Sequence, residues 1–117
     1  MSLILFHNPR CSKSRETLAL LEQHHIHPKI ELYLQNTYTP TELQHLADKL
    51  GISDVRQMMR TKDALYGELV LDNPNLSQEA LLQAISQHSS LLERPILING
   101  NKAKIGRPPE SVLAILD

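Results

Sequence analysis

The sequence predicts an α/β fold in which a four-stranded mixed β-sheet is flanked by helices. Three observations lead to this prediction: a strand–helix–strand pattern near the N-terminus, a series of helical patterns in the middle, and a β-hairpin followed by a helix near the C-terminus. A chain of 117 residues is long enough to bury the core of one domain. We therefore expect a single domain over residues 1–117, with a helical insert at about residues 40–90.

The N-terminal pattern begins with a short apolar run at residues 3–7, which predicts a buried strand closed by Asn8 and Pro9. Residues 13–25 have leucines at helical spacing, and residues 29–33 alternate polar and apolar side chains, as in a second strand. Two strands joined by a helix within roughly 30 residues form a βαβ unit, so we expect the two strands to be parallel.

The middle of the chain predicts helices. Thr39 is a capping residue, Pro40 suits the first helical position, and Glu42 can complete a capping box. Apolar residues then follow at helical spacing as far as Gly51, which predicts the end of the helix. Further helices are predicted at residues 53–60, at residues 62–69 and after the capping residue Ser77.

A β-hairpin is predicted near the C-terminus. Residues 94–98 and 101–105 are strand-like, and they are separated by Asn99-Gly100, the dipeptide that favours a two-residue type I′ turn. Residues 106–110 open a final helix. The complete order of βαβ unit, helical insert and ββα segment predicts a thioredoxin-like sheet.

Composition excludes several classes of protein and site. The net charge is −1, so the chain as a whole indicates neither a nucleic-acid-binding nor a membrane-binding surface. No apolar run approaches the roughly 20 residues of a membrane span, and no signal peptide is visible. A single cysteine excludes an intramolecular disulfide, a Cys-x-x-Cys pair and a multi-cysteine metal site. We expect a cytoplasmic protein that binds no metal, membrane or nucleic acid.

The cysteine, Cys11, lies where the first predicted strand turns into the first helix. The helix dipole and unpaired amide groups favour a thiolate at such a position, and Arg10, Lys13 and Arg15 add positive charge nearby. We therefore expect a thiol pKa below the ordinary value. Because the same amides can bind an anion, this turn combines a nucleophile with an oxyanion site.

Three arginines further along the chain are candidates for binding an oxyanion. Arg60 lies at the end of a predicted helix, Arg94 begins the hairpin and Arg107 follows it. Arginine gives a planar, multidentate grip on a tetrahedral oxyanion. The bond between Arg94 and Pro95 is a plausible cis site, and we expect both ends of the hairpin to approach the turn that carries Cys11.

These residues and their spacing resemble one family of enzymes. The motif His-Asn-Pro-x-Cys at residues 7–11 is followed by a serine three residues and an arginine four residues after the cysteine. The later matches are Arg60, Arg94-Pro95 and Gly106-Arg107-Pro108. Together they resemble the glutaredoxin-coupled arsenate reductases over essentially the whole chain, and most of all a short bacterial subgroup of arsenate reductase-like proteins.

The resemblance implies the reduction of arsenate to arsenite without a bound cofactor. It implies that Cys11 is the nucleophile and forms a thiol–arsenate adduct. The implied oxyanion-binding residues are Arg60, Arg94 and Arg107. The implied supporting residues are His7, Asn8, Ser14 and Arg15, with His7 and Ser14 holding the thiolate. Glutathione is the implied co-substrate and glutaredoxin the implied partner, which agrees with a chain that has no second thiol of its own.

This chain also departs from the better-studied members of that family. They have Gly-Thr after the cysteine, where this chain has Ser12-Lys13, and they carry a longer C-terminal tail. Lys13 adds positive charge, which would strengthen anion binding or shift its preference. The alternative function is a thiol- or oxyanion-binding redox or regulatory module on the same scaffold, and a third is a reductase of another oxyanion.

Each candidate residue has a structural interpretation beside the functional one. A lone cysteine is commonly an inert buried residue, and arginines are commonly solvated or in surface ion pairs. His7 could instead be packed at a strand end, and Ser14 could serve the first turn of the helix. A histidine cluster near the end of that helix is interpreted as solvent-exposed rather than metal-binding: His24, His25 and His27.

Overall fold

The computed structural model describes residues 3–116. The chain divides into two compact units. The first unit comprises the chain up to Gln35 and from Arg94 onward, and the second comprises Asn36–Glu93. The helical insert expected at about residues 40–90 falls within the second unit.

A four-stranded mixed sheet forms the first unit. Its strands are β1 (Leu3–Phe6), β2 (Lys29–Glu31), β3 (Ile96–Asn99) and β4 (Lys102–Ile105), in the spatial order β2-β1-β3-β4. Strand β1 pairs with β2 in parallel, while β1 with β3 and β3 with β4 pair antiparallel. The predicted βαβ unit, hairpin and mixed sheet are confirmed.

The hydrophobic core of this unit joins the sheet to its helices. Helix α1 (Ser12–Gln23) and a 3-10 helix at Pro109–Ile115 pack together. The buried cluster consists of Leu5, Leu21, Leu97, Val112 and Ile115. Because burial of each such side chain is worth about 1.5–3 kcal/mol, this packing holds α1 firmly on the sheet. The loop between β1 and α1 is thereby fixed at both of its ends.

The turn of the hairpin differs from the prediction. Asn99 pairs with Lys102, so the turn residues are Gly100 and Asn101 rather than Asn99 and Gly100. Gly100 has a φ of +61°, whereas Asn101 has no positive φ. A glycine at the first central position is typical of a type II′ turn, so the type I′ prediction was wrong. The Asn99 side chain donates to the Ile115 carbonyl oxygen at 2.6 Å, which holds Asn99 within the strand.

The last segment is a 3-10 helix rather than the predicted regular helix. It begins after Pro108, and the Ser111 amide donates to the Pro108 carbonyl oxygen at 3.0 Å, the i to i+3 bond of this geometry. Two consecutive prolines remove two amide donors at its start, which disfavours a longer regular helix. Both Arg94-Pro95 and Arg107-Pro108 are cis peptide bonds, and the second was not anticipated.

The second predicted strand is shorter than expected. Strand β2 ends at Glu31, and the chain turns into a 3-10 helix at Tyr33–Gln35. Tyr33 is almost fully buried and its ring stacks on that of Phe6, with 6.1 Å between the ring centres. This aromatic contact draws the chain out of the extended conformation soon after β2.

The second unit is helical, with α2 (Pro40–Leu50), α3 (Ala64–Glu68) and α4 (Gln78–Gln87). The capping box is present: the Glu42 amide donates to Thr39 Oγ1 at 3.1 Å and the Thr39 amide to the Glu42 carboxylate at 3.0 Å. Gly51 ends α2 in the left-handed conformation, as predicted. The helix predicted at residues 53–60 forms only a 3-10 turn at Val55–Met58. Within residues 3–116, no helix combines the length and apolar character needed to cross a membrane.

Candidate active site

Cys11 is the N-cap residue of α1. Its backbone is extended, with a φ of −94° and a ψ of 125°, and its carbonyl oxygen accepts from the Arg15 amide at 3.0 Å. Its own amide donates to the Asn8 carbonyl oxygen at 3.0 Å, which closes a tight turn after β1. The residue is partly exposed, so the thiol lies at a helix N-terminus and is open to a reactant.

Asn8 and Arg15 hold the loop that presents the cysteine. The Asn8 side-chain oxygen accepts from the Arg10 amide at 3.1 Å, and the Arg15 guanidinium donates to the Pro9 carbonyl oxygen at 3.0 Å. Both contacts are made to the backbone of residues 9 and 10, directly before the cysteine. These two side chains are therefore supports of the loop backbone.

His7 and Ser14 form a buried pair beneath this loop. His7 Nδ1 lies 2.7 Å from Ser14 Oγ, and that hydroxyl also accepts from the Asn8 amide at 3.0 Å. Burial lowers the pKa of His7, and the positive charge of Arg15 lowers it further, so the neutral imidazole is favoured. His7 is therefore linked to the site through the Ser14 hydroxyl. The imidazole tautomer determines which of the two groups donates the hydrogen bond between them.

The thiol pKa results from opposing effects. Burial raises the pKa of Cys11. The backbone amides of Ser14 and Lys13 at the start of α1 lower it, as do the positive charge and hydrogen bond of Arg94. The lowering effects prevail, so the pKa of Cys11 lies below its ordinary value. The helix N-terminus favours the thiolate as the sequence indicated, but the cation that lowers the pKa is Arg94 rather than Arg10, Lys13 or Arg15.

Arg94 and Arg107 come together at the ends of the hairpin. Arg107 Nε donates to the Arg94 carbonyl oxygen at 2.9 Å, and Arg107 Nη2 lies 3.9 Å from Cys11 Sγ. The structure therefore brings two of the three candidate arginines to the cysteine, as expected for the two hairpin ends. Two guanidinium groups beside a thiolate and a helix N-terminus form a strongly anion-attracting site.

Arg60 belongs to the second unit. Its guanidinium forms an ion pair with Asp63 at 3.3 Å, and its amide donates to the Leu91 carbonyl oxygen at 2.8 Å. The side chain is 30% exposed, so it is accessible to solvent and held by one acidic partner. Its role in binding an oxyanion stays a prediction.

Comparison with known proteins identifies the family. The sequence model that describes the ArsC family matches residues 6–115, nearly the whole chain. This chain belongs to the ArsC family. The resemblance inferred from the cysteine motif and the arginines is therefore confirmed.

Curated relatives and a solved structure agree with this assignment. The chain is 70% identical to an arsenate reductase from Haemophilus influenzae, over 99% of this chain and 100% of the relative. It is 52% identical to an arsenate reductase from Neisseria meningitidis serogroup A, over 96% of each. Its structure matches that of an arsenate reductase from Vibrio cholerae with a TM-score of 0.96 and 50% identity, covering 99% of this chain and 98% of the other.

The histidine cluster of this ArsC-family chain forms the end of α1. His25 has a φ of +60°, and its amide donates to the Glu22 carbonyl oxygen at 3.0 Å, a pattern typical of a helix C-terminus. The three histidines, His24, His25 and His27, are exposed. Over the part of the chain that the structure describes, no group of three or more histidine, cysteine or acidic residues is placed to hold a metal.

Thr17 was not singled out from the sequence, and Gly106 was noted only as part of the motif Gly106-Arg107-Pro108. Gly106 and Thr17 are both buried where the hairpin meets α1, next to the segments that carry the arginines and the cysteine. The sequence contained a signal for Gly106 alone, because a glycine in or beside a strand often marks a close approach of another segment.

A cavity of about 290 Å³ adjoins the loop that precedes the cysteine. Its lining comes from the loop after β1 and the segment after β2: His7, Asn8, Pro9, Arg10, Leu32, Leu34 and Gln35. Cys11, Arg94 and Arg107 are not among the lining residues, so this cavity is separate from the group of cations at the thiol.

Proposed function

We propose that this chain reduces arsenate to arsenite, with Cys11 as the nucleophile. The observation that carries the proposal is a cysteine of lowered pKa at a helix N-terminus, with Arg107 3.9 Å from its sulfur, in a chain of the ArsC family. The relatives named arsenate reductase at 70% and 52% identity support the choice of arsenate as the oxyanion.

The proposed first step is attack of the Cys11 thiolate on arsenic. A sulfur–arsenic bond forms, and one arsenate oxygen leaves as water after it has gained protons. The step needs a thiolate at neutral pH, and the amides of α1 and the charge of Arg94 favour that form.

The oxyanion would be bound by guanidinium groups. We assign Arg94 and Arg107 to this role because both act on Cys11, and Arg60 because it matches the family pattern. Asp63 would orient the Arg60 guanidinium through their ion pair. A charge-assisted hydrogen bond to a desolvated anion is worth about 1.5–3 kcal/mol, so loss of one arginine should lower kcat/KM about 10- to 100-fold.

External thiols would supply the reductant. Reduction of As(V) to As(III) takes two electrons, and a chain with one cysteine cannot provide them by forming an internal disulfide. We propose that glutathione attacks the adduct, so that arsenite leaves and Cys11 is left in a mixed disulfide with glutathione. Glutaredoxin would then reduce that disulfide. This requirement for reduced thiols fits a cytoplasmic location.

The test is a coupled assay that follows NADPH oxidation with arsenate, glutathione, glutathione reductase and glutaredoxin. We expect turnover in the wild type, none in Cys11→Ser, and reduced kcat/KM in Arg60→Ala, Arg94→Ala and Arg107→Ala. Lys104→Ala is the matched control, because this exposed cation lies on β4 outside the proposed site. Normal kinetics in any arginine variant would remove that residue from the oxyanion site.

The same assay separates the alternative function. A thiol- or oxyanion-binding regulatory module would keep a reactive Cys11 but would show no turnover with arsenate. Alkylation of Cys11 in the presence of increasing arsenate adds a second readout. Saturable protection by arsenate supports the enzyme, and reactivity that arsenate does not change supports the module.

A further inference from the structure

Gly106 is the point of closest packing between the hairpin and α1. A Cβ atom at this position would lie 2.7 Å from Thr17 Oγ1, 2.8 Å from Pro95 Cγ and 3.2 Å from Thr17 Cγ2. Cβ atoms essentially never approach other heavy atoms closer than 3.0 Å. The backbone conformation of Gly106 is not the reason for the glycine, because its φ is not in the left-handed region. Glycine is required here because there is no room for a Cβ atom.

The neighbours of Gly106 cannot easily give way. Thr17 is fully buried, and its hydroxyl donates to the Lys13 carbonyl oxygen at 2.8 Å, which holds its rotamer against the first turn of α1. Pro95 has a rigid ring, is buried, and accepts from the Gly106 amide at 2.9 Å through its carbonyl oxygen. A methyl group at position 106 would therefore separate whole segments rather than displace one flexible side chain.

Those segments carry the reactive groups of the site. Lys13 and Thr17 belong to α1, whose N-cap is Cys11. On the other side of the contact, Pro95 directly follows Arg94, and Gly106 directly precedes Arg107. The packing at Gly106 thus sets how closely the two arginines approach the thiol.

We propose that Gly106 is a positioning residue, and that its lack of a side chain, matched to the fixed Thr17, sets the distance from Arg94 and Arg107 to Cys11. The claim that this distance affects turnover of arsenate rests on the proposed function. The claim that it affects the Cys11 thiol does not rest on that function. Small displacements of groups around a reacting centre, about 1 Å, can cost about 100-fold in rate.

The experiment compares Gly106→Ala with Gly67→Ala. Gly67 is a matched control because it lies in α3 and a Cβ there would meet nothing within 4 Å. We measure the pH dependence of Cys11 alkylation by iodoacetamide, arsenate protection and kcat/KM, with urea denaturation to verify folding. In Gly106→Ala we expect the thiol pKa to rise, arsenate protection to weaken and kcat/KM to fall about 10- to 100-fold. Gly67→Ala should leave all three unchanged.

Thr17→Ala tests whether the contact itself is responsible. In the double variant, the added methyl group at position 106 loses two of its three close contacts, those with Thr17, and keeps the one with Pro95. We expect Thr17→Ala with Gly106→Ala to recover part of the thiol pKa shift caused by Gly106→Ala alone. If Gly106→Ala does not fold, the double variant is compared with Thr17→Ala, and a raised thiol pKa in the double variant supports the proposal.

Two results would overturn the proposal. One is a folded Gly106→Ala protein whose thiol pKa and arsenate protection equal those of the wild type. The other is a thiol pKa shift in Gly106→Ala that the added Thr17→Ala substitution does not reduce. Where Gly106→Ala alone does not fold, the overturning result is instead a double variant whose thiol pKa equals that of Thr17→Ala. Failure of the proposed function can be told apart from failure of this proposal. A wild type that does not turn over arsenate still has a thiol pKa that can be measured and compared with that of Gly106→Ala.

Discussion

The Arg107 guanidinium lies 3.9 Å from the Cys11 sulfur, although the two residues are 96 positions apart in the chain. The bond from Arg107 Nε to the Arg94 carbonyl oxygen directs the outer nitrogen of Arg107 toward the sulfur. Arg94 also acts on the thiol, because its charge and its hydrogen bond lower the pKa of Cys11. Replacing each arginine separately should measure the share of each.

The first prediction concerns the thiol pKa. Arg94→Ala should raise the pKa of Cys11 more than Arg107→Ala does, because the charge and the hydrogen bond of Arg94 both lower that pKa. The measurement is the pH dependence of the alkylation rate, with Lys104→Ala as the control for loss of one exposed positive charge. Equal shifts in the two arginine variants would contradict the assignment of Arg94.

The second prediction concerns the buried Ser14 hydroxyl. Ser14→Ala removes the acceptor of the Asn8 amide and the partner of His7, which leaves polar groups without hydrogen bonds. An unsatisfied buried polar group costs about 1–3 kcal/mol, so the free energy of unfolding should fall by about that amount. Urea denaturation measures it. Ser12→Ala is the matched control, because Ser12 is exposed in the same turn and should change stability little.

The third prediction concerns His7 and pH. The pKa of His7 is lowered by burial and then by Arg15, so the folded state binds a proton less readily than the unfolded state, whose pKa is 6.5. The stabilising contribution is complete above pH 6.5 and is lost as the pH falls from there through the lower folded-state pKa. His7→Asn cannot gain this proton, so its free energy of unfolding should depend less on pH below 6.5 than that of the wild type. Parallel pH profiles of the two proteins would exclude His7 as the titrating group.

The sequence was sufficient for the elements whose signals are local. The capping box at Thr39 and Glu42, the glycine stop at Gly51 and the βαβ unit all form as predicted, because each depends on a few neighbouring residues. The cysteine at the start of α1 follows from the same local pattern. The part of its lowered pKa that comes from the helix N-terminus is local too, whereas the cation that lowers the pKa is Arg94, which is distant in the chain, rather than Arg10, Lys13 or Arg15.

What the sequence did not reveal depends on contacts between distant segments. The turn of the hairpin moved by one residue because the Asn99 side chain bonds Ile115, which no dipeptide preference can indicate. The packing of Gly106 on Thr17 joins the end of β4 to α1, and neither segment by itself indicates the other as its partner. His7, which follows β1, bonds the Ser14 hydroxyl in the first turn of α1, a contact that joins two elements.

Val70 was likewise not anticipated. It follows α3 with a φ of +54°, a conformation that a β-branched residue rarely adopts. Its amide donates to the Gly67 carbonyl oxygen and the Leu71 amide to that of Tyr66, both at 3.0 Å, the bonding pattern that usually ends in glycine. The side chain is 58% exposed, so it gains little from burial in return for the strain.

The fourth prediction is that Val70→Gly stabilises the protein. The left-handed conformation costs an L-residue about 1–2 kcal/mol, and glycine avoids that cost at the expense of some backbone entropy, so the free energy of unfolding should rise by about 1 kcal/mol. Val70→Ala keeps a Cβ atom and should give a smaller gain, which makes it the matched control. Urea denaturation of the wild type, Val70→Gly and Val70→Ala measures the order of their free energies of unfolding. A Val70→Gly protein no more stable than the wild type would mean that the valine side chain makes a stabilising contribution large enough to offset the strain.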